Sequence, residues 1–155
     1  MELQFGDIIL FKHNDFIAKM IEKITKSPYS HASICLDKWH MAEALSDGID
    51  ITHLRDLPTG YDIYRYNLND EQKQKMQDFI YQKIACPYNY EELFACLLEK
   101  ELNFKIPINK SKLICSQFVF NIFNFAGINL LPDFIGNIVT PADLSTSCIL
   151  QKVGV

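Results

Sequence analysis

Apolar positions between Lys110 and Ile128 recur at helical spacing. Cys115, Phe118, Val119, Ile122, Phe123 and Ala126 follow the i, i+3, i+4, i+7, i+8 pattern of one helix face. Phe120 and Phe125 add apolar surface on other sides, and Gln117, Asn121 and Asn124 leave a thin polar strip. A helix that is apolar nearly all round belongs inside a domain. Its start falls at Ser111 or just after, and Gly127 supplies a stop. A second, amphipathic helix spans Asn69 to Ile84, with Met76, Phe79, Ile80 and Ile84 as its apolar positions. Asn69 and Gln72 resemble a capping box at its start. Helical spacing also marks Phe16 to Lys26, which Ser27-Pro28-Tyr29 ends because the residue before proline resists helix. A short helix follows from Tyr90 to Leu98, and Glu99 to Asn109 reads as a loop.

Most of the rest of the first half reads as strand. Phe5-Gly6-Asp7 is a turn into the apolar run Ile8 to Phe11. Ser30 to Leu36 and His40 to Leu45 are short strands joined by Asp37-Lys38-Trp39. If Leu36 pairs with His40 across that loop, Ser33 falls opposite Glu43 and His31 opposite Leu45. His31, Ser33, Met41 and Glu43 then share one face, because side chains alternate along a strand. Glu43 becomes a diagonal neighbour of His31, within reach of long side chains. A slip of one residue would send Glu43 to the other face. Gly48 to Leu54, Tyr61 to Asn67 and a last strand near Cys148 to Val153 complete an α+β pattern.

Composition narrows the classes. A chain of 155 residues is one domain, large enough to bury a core without staples. Apolar content of 48% and charged content of 22% are those of a globular protein. A net charge of −4 and the lack of any Lys/Arg run give no reason to expect nucleic acid. The five cysteines are scattered, without a CxxC pair, so neither a zinc site nor a disulfide framework is indicated. No secretory signal is visible, and no apolar run is long enough for a membrane helix. The expectation is a cytoplasmic protein without metal or organic cofactor, with a phage- or virus-encoded role also compatible. His13, His40 and His53 match no helix-based ligand spacing and are read as surface residues.

Three residues carry candidate chemistry. Cys115 sits in or near the first turn of a buried helix, where unpaired amides and the macrodipole favour a thiolate. Acyl transfer by cysteine also needs a histidine to exchange the proton and a third group to orient the imidazole. His31 and Glu43 supply one residue for each role. The Cys115 amide would contribute to an oxyanion hole, with Tyr88 as a guess for its vicinity. Each residue has a plainer alternative. Cysteine is a common core residue, a strand histidine is often structural, and Glu43 would also suit a solvated edge strand.

The ordered set Gly6-Asp7-Ile8-Ile9-Leu10-Phe11, Ser27-Pro28-Tyr29-Ser30-His31-Ala32, Ala42-Glu43-Ala44, Pro87-Tyr88-Asn89-Tyr90, Ile114-Cys115-Ser116-Gln117-Phe118-Val119 and Thr140-Pro141-Ala142-Asp143-Leu144 resembles the permuted papain-like hydrolases. The likeness is to the YiiX/YaeF-like branch of the NlpC superfamily of cysteine amidases and peptidases. Histidine precedes cysteine here, as in that branch and unlike papain. The resemblance runs from Gly6 to Leu144. It implies a circularly permuted papain-like fold, with a small antiparallel sheet or barrel packed on a central cysteine-bearing helix. It implies Cys115 as nucleophile, His31 as base and acid, and Glu43 as the orienting residue. Tyr88 falls where the family often has a Tyr-Asp pair; Asn89 replaces the acid. Gln117 stands where the family commonly has Glu.

The reading that results is a cysteine hydrolase cleaving a peptide or other small amide through a thioester. One alternative is a lipid acyltransferase or thioesterase of the lecithin-retinol-acyltransferase-like type, a branch that typically uses a second histidine where Glu43 stands. Another is a non-catalytic binding module on the same fold. Oligomeric state is left open.

Overall fold

The computed structural model describes residues 2–12, 27–45, 48–57, 60–85, 111–136 and 139–154. The predicted helices 16–26 and 90–98, the loop 99–109 and Tyr88 lie outside the described residues.

Five strands come before the first described helix. They are β1 (Ile8–Phe11), β2 (His31–Cys35), β3 (His40–Leu45), β4 (Gly48–His53) and β5 (Tyr61–Arg65). A 3-10 turn at Leu54–Asp56 follows β4, so the fourth strand stops one residue short of its predicted end. Then come α1 (Asp70–Ala85), α2 (Ser111–Phe125), α3 (Pro141–Ser145) and β6 (Gln151–Gly154). The strands form one antiparallel sheet in the order β4-β3-β2-β1-β5-β6.

β1 is central and covered on both faces, which explains its unbroken apolar run. Ile8 and Leu10 join Ala32, Ile34, Ala42 and Ala44 under α2, whose Cys115, Phe118, Val119, Ile122 and Phe123 fill the main core. Ile9 and Phe11 point the other way, into a smaller cluster with Cys35, Met41 and Leu54. The two alanines of β3 let α2 lie close to the sheet. Ile34 pairs with Ala42 and Cys35 with Met41, and the Leu36 amide donates to the His40 carbonyl at 2.8 Å. This is the hairpin register expected from the three-residue loop.

α1 begins as predicted. The Asn69 amide donates to Gln72 Oε1 at 3.0 Å, and the Gln72 amide donates to Asn69 Oδ1 at 2.8 Å. α2 ends ahead of Gly127, whose φ of +80° is the left-handed conformation of a helix stop. α2 is not wholly interior. Phe125 is half exposed and packs its ring against Phe79 of α1 at 5.1 Å between centroids.

The Gly6-Asp7 pair is structural. Gly6 has a φ of +88°, and a β-carbon there would sit 2.3 Å from a methyl of Leu68. Asp7 is buried and receives both Arg65 Nε and Nη2 at 2.6 Å, together with the Gln4 amide at 2.9 Å. The guanidinium thereby ties the start of β1 to the end of β5.

The other end of β5 holds a second buried carboxylate. Lys12 and Lys152 donate to Asp62 Oδ2 at 2.8 and 2.9 Å, and the Tyr29 hydroxyl bonds the same oxygen. Burial works against the Asp62 anion, yet these donors outweigh it and hold the carboxyl well below its ordinary range, at about 2. The Tyr29 hydroxyl also lies 3.0 Å from that of Tyr64. This network fixes the chain two residues ahead of His31.

Candidate active site

β2 and β3 pair as a ladder only at Ile34–Ala42 and Cys35–Met41. Continuing the register sets Ser33 opposite Glu43. Beyond the ladder, backbone groups of β2 that face β3 need other partners. The Ala32 amide uses this opening. It donates to Cys115 Sγ of α2 at 3.4 Å, joining residues 83 apart in sequence. A backbone N–H aimed at sulfur favours negative charge on it.

His31 opens β2 and pairs with Phe11 across the sheet; their rings lie 5.5 Å apart. The Nε2–H of His31 donates to Glu43 Oε2 at 2.7 Å. Its imidazole is also hydrogen-bonded to Cys115, and with Nε2 committed to Glu43, Nδ1 is the nitrogen left for that bond. Burial of the ring favours the neutral form. The negative sulfur of Cys115, its hydrogen bond, and Glu43 overcome this and push His31 up to about 10, against an ordinary value of 6.5.

The structure therefore brings His31 and Glu43 together and places Cys115 against both His31 and the β2 backbone. Tyr88, the remaining predicted residue, lies outside the described residues.

One expectation changes. α2 begins at Ser111, the predicted start, so Cys115 is its fifth residue, just past the first turn. The i to i−4 ladder commits the Cys115 amide to the Ser111 carbonyl, which removes it as an oxyanion donor. Macrodipole stabilisation also fades beyond the first turn. The Ala32 amide supplies a direct donor to sulfur instead.

The two residues after Cys115 have structural roles. Ser116 Oγ donates to the Val139 carbonyl at 2.7 Å, and the Val139 amide donates to Gln117 Oε1 at 3.2 Å. Gln117 Nε2 also donates to Asn121 at 3.0 Å. The Ser-Gln pair thus clamps the chain entering α3. That chain turns into α3 through a Thr140–Asp143 capping box with Pro141 at its start.

The sequence reading passed over Thr52. Its hydroxyl donates to Glu43 Oε1 at 2.5 Å. His40 and His53 stay outside the site, and His13 lies outside the described residues. His40 Nδ1 donates to the Asp37 carboxylate at 3.0 Å, and His53 Nδ1 accepts from the Arg55 amide at 3.1 Å. Trp39 is 53% exposed and meets only the Lys38 ammonium and the His53 ring among its described aromatic contacts. Among the described residues no three His, Cys, Asp or Glu side chains converge as a metal site requires.

A histidine–carboxylate pair beside a cysteine on a buried helix, with histidine ahead of cysteine in the chain, defines a permuted papain-like arrangement. The chain belongs to the permuted papain-like amidase family, YaeF/YiiX, the C92 family, whose model matches residues 2–139. Among solved structures it is similar to one described as the metalloprotein yiiX from Escherichia coli O157:H7. The two are 22% identical with a TM-score of 0.70, over 99% of this chain and 98% of that one. No curated protein sequence matches the chain. Among the described residues no helix is long and apolar enough to cross a membrane.

Proposed function

We propose that this protein is a cysteine hydrolase that cleaves an amide bond through a thioester, with Cys115, His31 and Glu43 as its triad. The observation that carries this is the continuous set of contacts from Glu43 through the His31 ring to Cys115. In the acylation step the Cys115 thiolate attacks the substrate carbonyl carbon. His31, as imidazolium, gives its Nδ1 proton to the departing amine as the C–N bond breaks. In the second step His31 takes a proton from water, the hydroxide attacks the thioester carbonyl, and the C–S bond breaks to return the thiolate. Glu43 accepts from Nε2 throughout, holding the ring and stabilising its charge. The substrate class is a small peptide or amide.

The test is alkylation by iodoacetamide, mapped by peptide so that Cys115 is read separately from the other four cysteines. At pH 6 Cys115 should react fastest, and His31→Ala should slow it by roughly tenfold or more. Reaction no faster than at exposed Cys148 would favour a non-catalytic module. Trapping of a fatty-acyl thioester on Cys115 with no turnover of amides would favour the lipid-directed alternative.

The pH profile follows from the protonation of His31. The leaving amine needs a proton from the imidazolium. His31 is raised, so this form persists below its folded value and is lost as pH rises through about 10. The alkaline limb of kcat/KM, which reports the free protein, should therefore lie near that pH. Glu43→Gln removes one of the charges holding the imidazolium and should bring the limb down by about one to two pH units. Its kcat should fall by about tenfold, whereas His31→Ala should lose about 10³-fold because proton transfer itself is gone. Equal losses in the two variants would contradict a merely orienting role for Glu43.

A further inference from the structure

The Glu43 carboxylate has two oxygens, and the structure gives each a different neighbour. Oε2 meets His31 Nε2 at 2.7 Å, and Oε1 accepts from the Thr52 hydroxyl at 2.5 Å. Thr52 belongs to β4, a strand at the edge of the sheet. The β3–β4 register pairs Met41 with Thr52 and Glu43 with Asp50. Thr52 and Glu43 are therefore diagonal neighbours on one face, the separation at which side chains of this length meet.

A glutamate has three side-chain torsions between its backbone and its charge. One hydrogen bond at a single oxygen leaves the carboxylate free to rotate about its last torsion. A second bond at the other oxygen fixes the plane of the group. Threonine suits this task because its branched β-carbon restricts χ1 and so aims the hydroxyl. Glu43 is 7% exposed, so water has little access to replace that donor.

We propose that Thr52 is a positioning residue of the catalytic centre, holding the Glu43 carboxylate in the orientation that receives His31 Nε2–H. This rests on the cysteine-hydrolase reading above. It extends the line of contacts to a fourth residue and a third strand. β4 then has a function beyond closing the sheet edge: it fixes the carboxylate that orients the base.

The experiment compares Thr52→Val and Thr52→Ser with the unmodified protein and with His31→Ala. Valine keeps the branched shape a strand favours and removes only the donor; serine keeps the donor. Two readouts are taken. One is the iodoacetamide rate at Cys115 at pH 6, and the other is the NMR titration of the His31 ring. Thr52→Val is expected to slow alkylation by about tenfold, in line with losing a hydrogen bond to a charged group, and to lower the His31 titration. Thr52→Ser is expected to restore both to within about twofold of the unmodified protein.

If His31→Ala slows alkylation while Thr52→Val does not, Thr52 has no positioning role and the hydrolase reading stands. If the valine and serine variants slow it equally, the methyl group or the strand is responsible, and the proposal is likewise overturned. If His31→Ala itself leaves alkylation unchanged, the hydrolase reading falls and this proposal falls with it.

Discussion

Cys115→Ala is expected to abolish amide turnover, by at least about 10⁴-fold, while the protein stays folded. A nucleophile that forms a covalent intermediate has no substitute within its triad, which is why losses from removing one are so large. The structural cost is small. Cys115 is fully buried, and removing its sulfur leaves a small cavity worth about 1 kcal/mol. For a domain of this size that corresponds to roughly 2–4 °C in melting temperature. A second effect separates loss of chemistry from loss of structure. The sulfur is foremost among the groups that raise His31. Without it, burial is opposed by Glu43 with no help from the thiolate, so the ring should titrate lower in the alanine variant. Circular dichroism, an amide-hydrolysis assay and histidine NMR together check this. Full activity in Cys115→Ala on any amide would rule out the proposed mechanism.

Asp7→Asn should produce the largest loss of stability, and its effect should stay away from the chemistry. The Asp7 side chain is 1% exposed and that of Arg65 20% exposed, and their two short bonds form a bidentate pair. The pair also sustains the Arg65 charge, raising its pKa. An amide in place of the carboxylate leaves a largely buried guanidinium without its anion. Breaking one partner of such a pair costs about 3–5 kcal/mol, on the order of 10 °C in melting temperature here. Arg65→Lys should be nearly as harmful, because a single ammonium cannot reproduce the fork. Asp7 precedes Ile8 at one end of β1, whereas His31 pairs with Phe11 at the other. The folded Asp7→Asn protein should therefore keep the Cys115 alkylation rate. A melting temperature within about 2 °C of the unmodified protein would show that the Asp7–Arg65 pair does not anchor the sheet.

These two residues differ in how legible they were. Cys115 stood out because its helix had a strong apolar period, and the chemistry of cysteine gave it a candidate role. Asp7 was visible as a turn residue of a Gly-Asp strand start. Nothing in its neighbourhood named Arg65, 58 residues away. The reach of the sequence extended furthest in the β2–β3 hairpin. A three-residue loop and period-two alternation predicted that His31 and Glu43 share a face. The structure has that register, with a 2.7 Å bond between the two side chains. The Asn69–Gln72 cap and the Gly127 stop were legible for the same reason: each depends on residues a few positions apart.

What the sequence determined by itself was local: strand alternation, helix faces, caps, the hairpin register, and an ordered set of motifs sufficient to indicate the family. What the tertiary structure alone decided was which distant groups meet. It placed the Ala32 amide on the Cys115 sulfur, set Thr52 behind Glu43, and gathered Lys12, Lys152 and Tyr29 around Asp62. The physical reason is the range of the forces that write each pattern. Periodicity records the environment of a segment. Hydrogen bonds of about 3 Å between strands and helices far apart in the chain exist only once the sheet is assembled and α2 is seated on it.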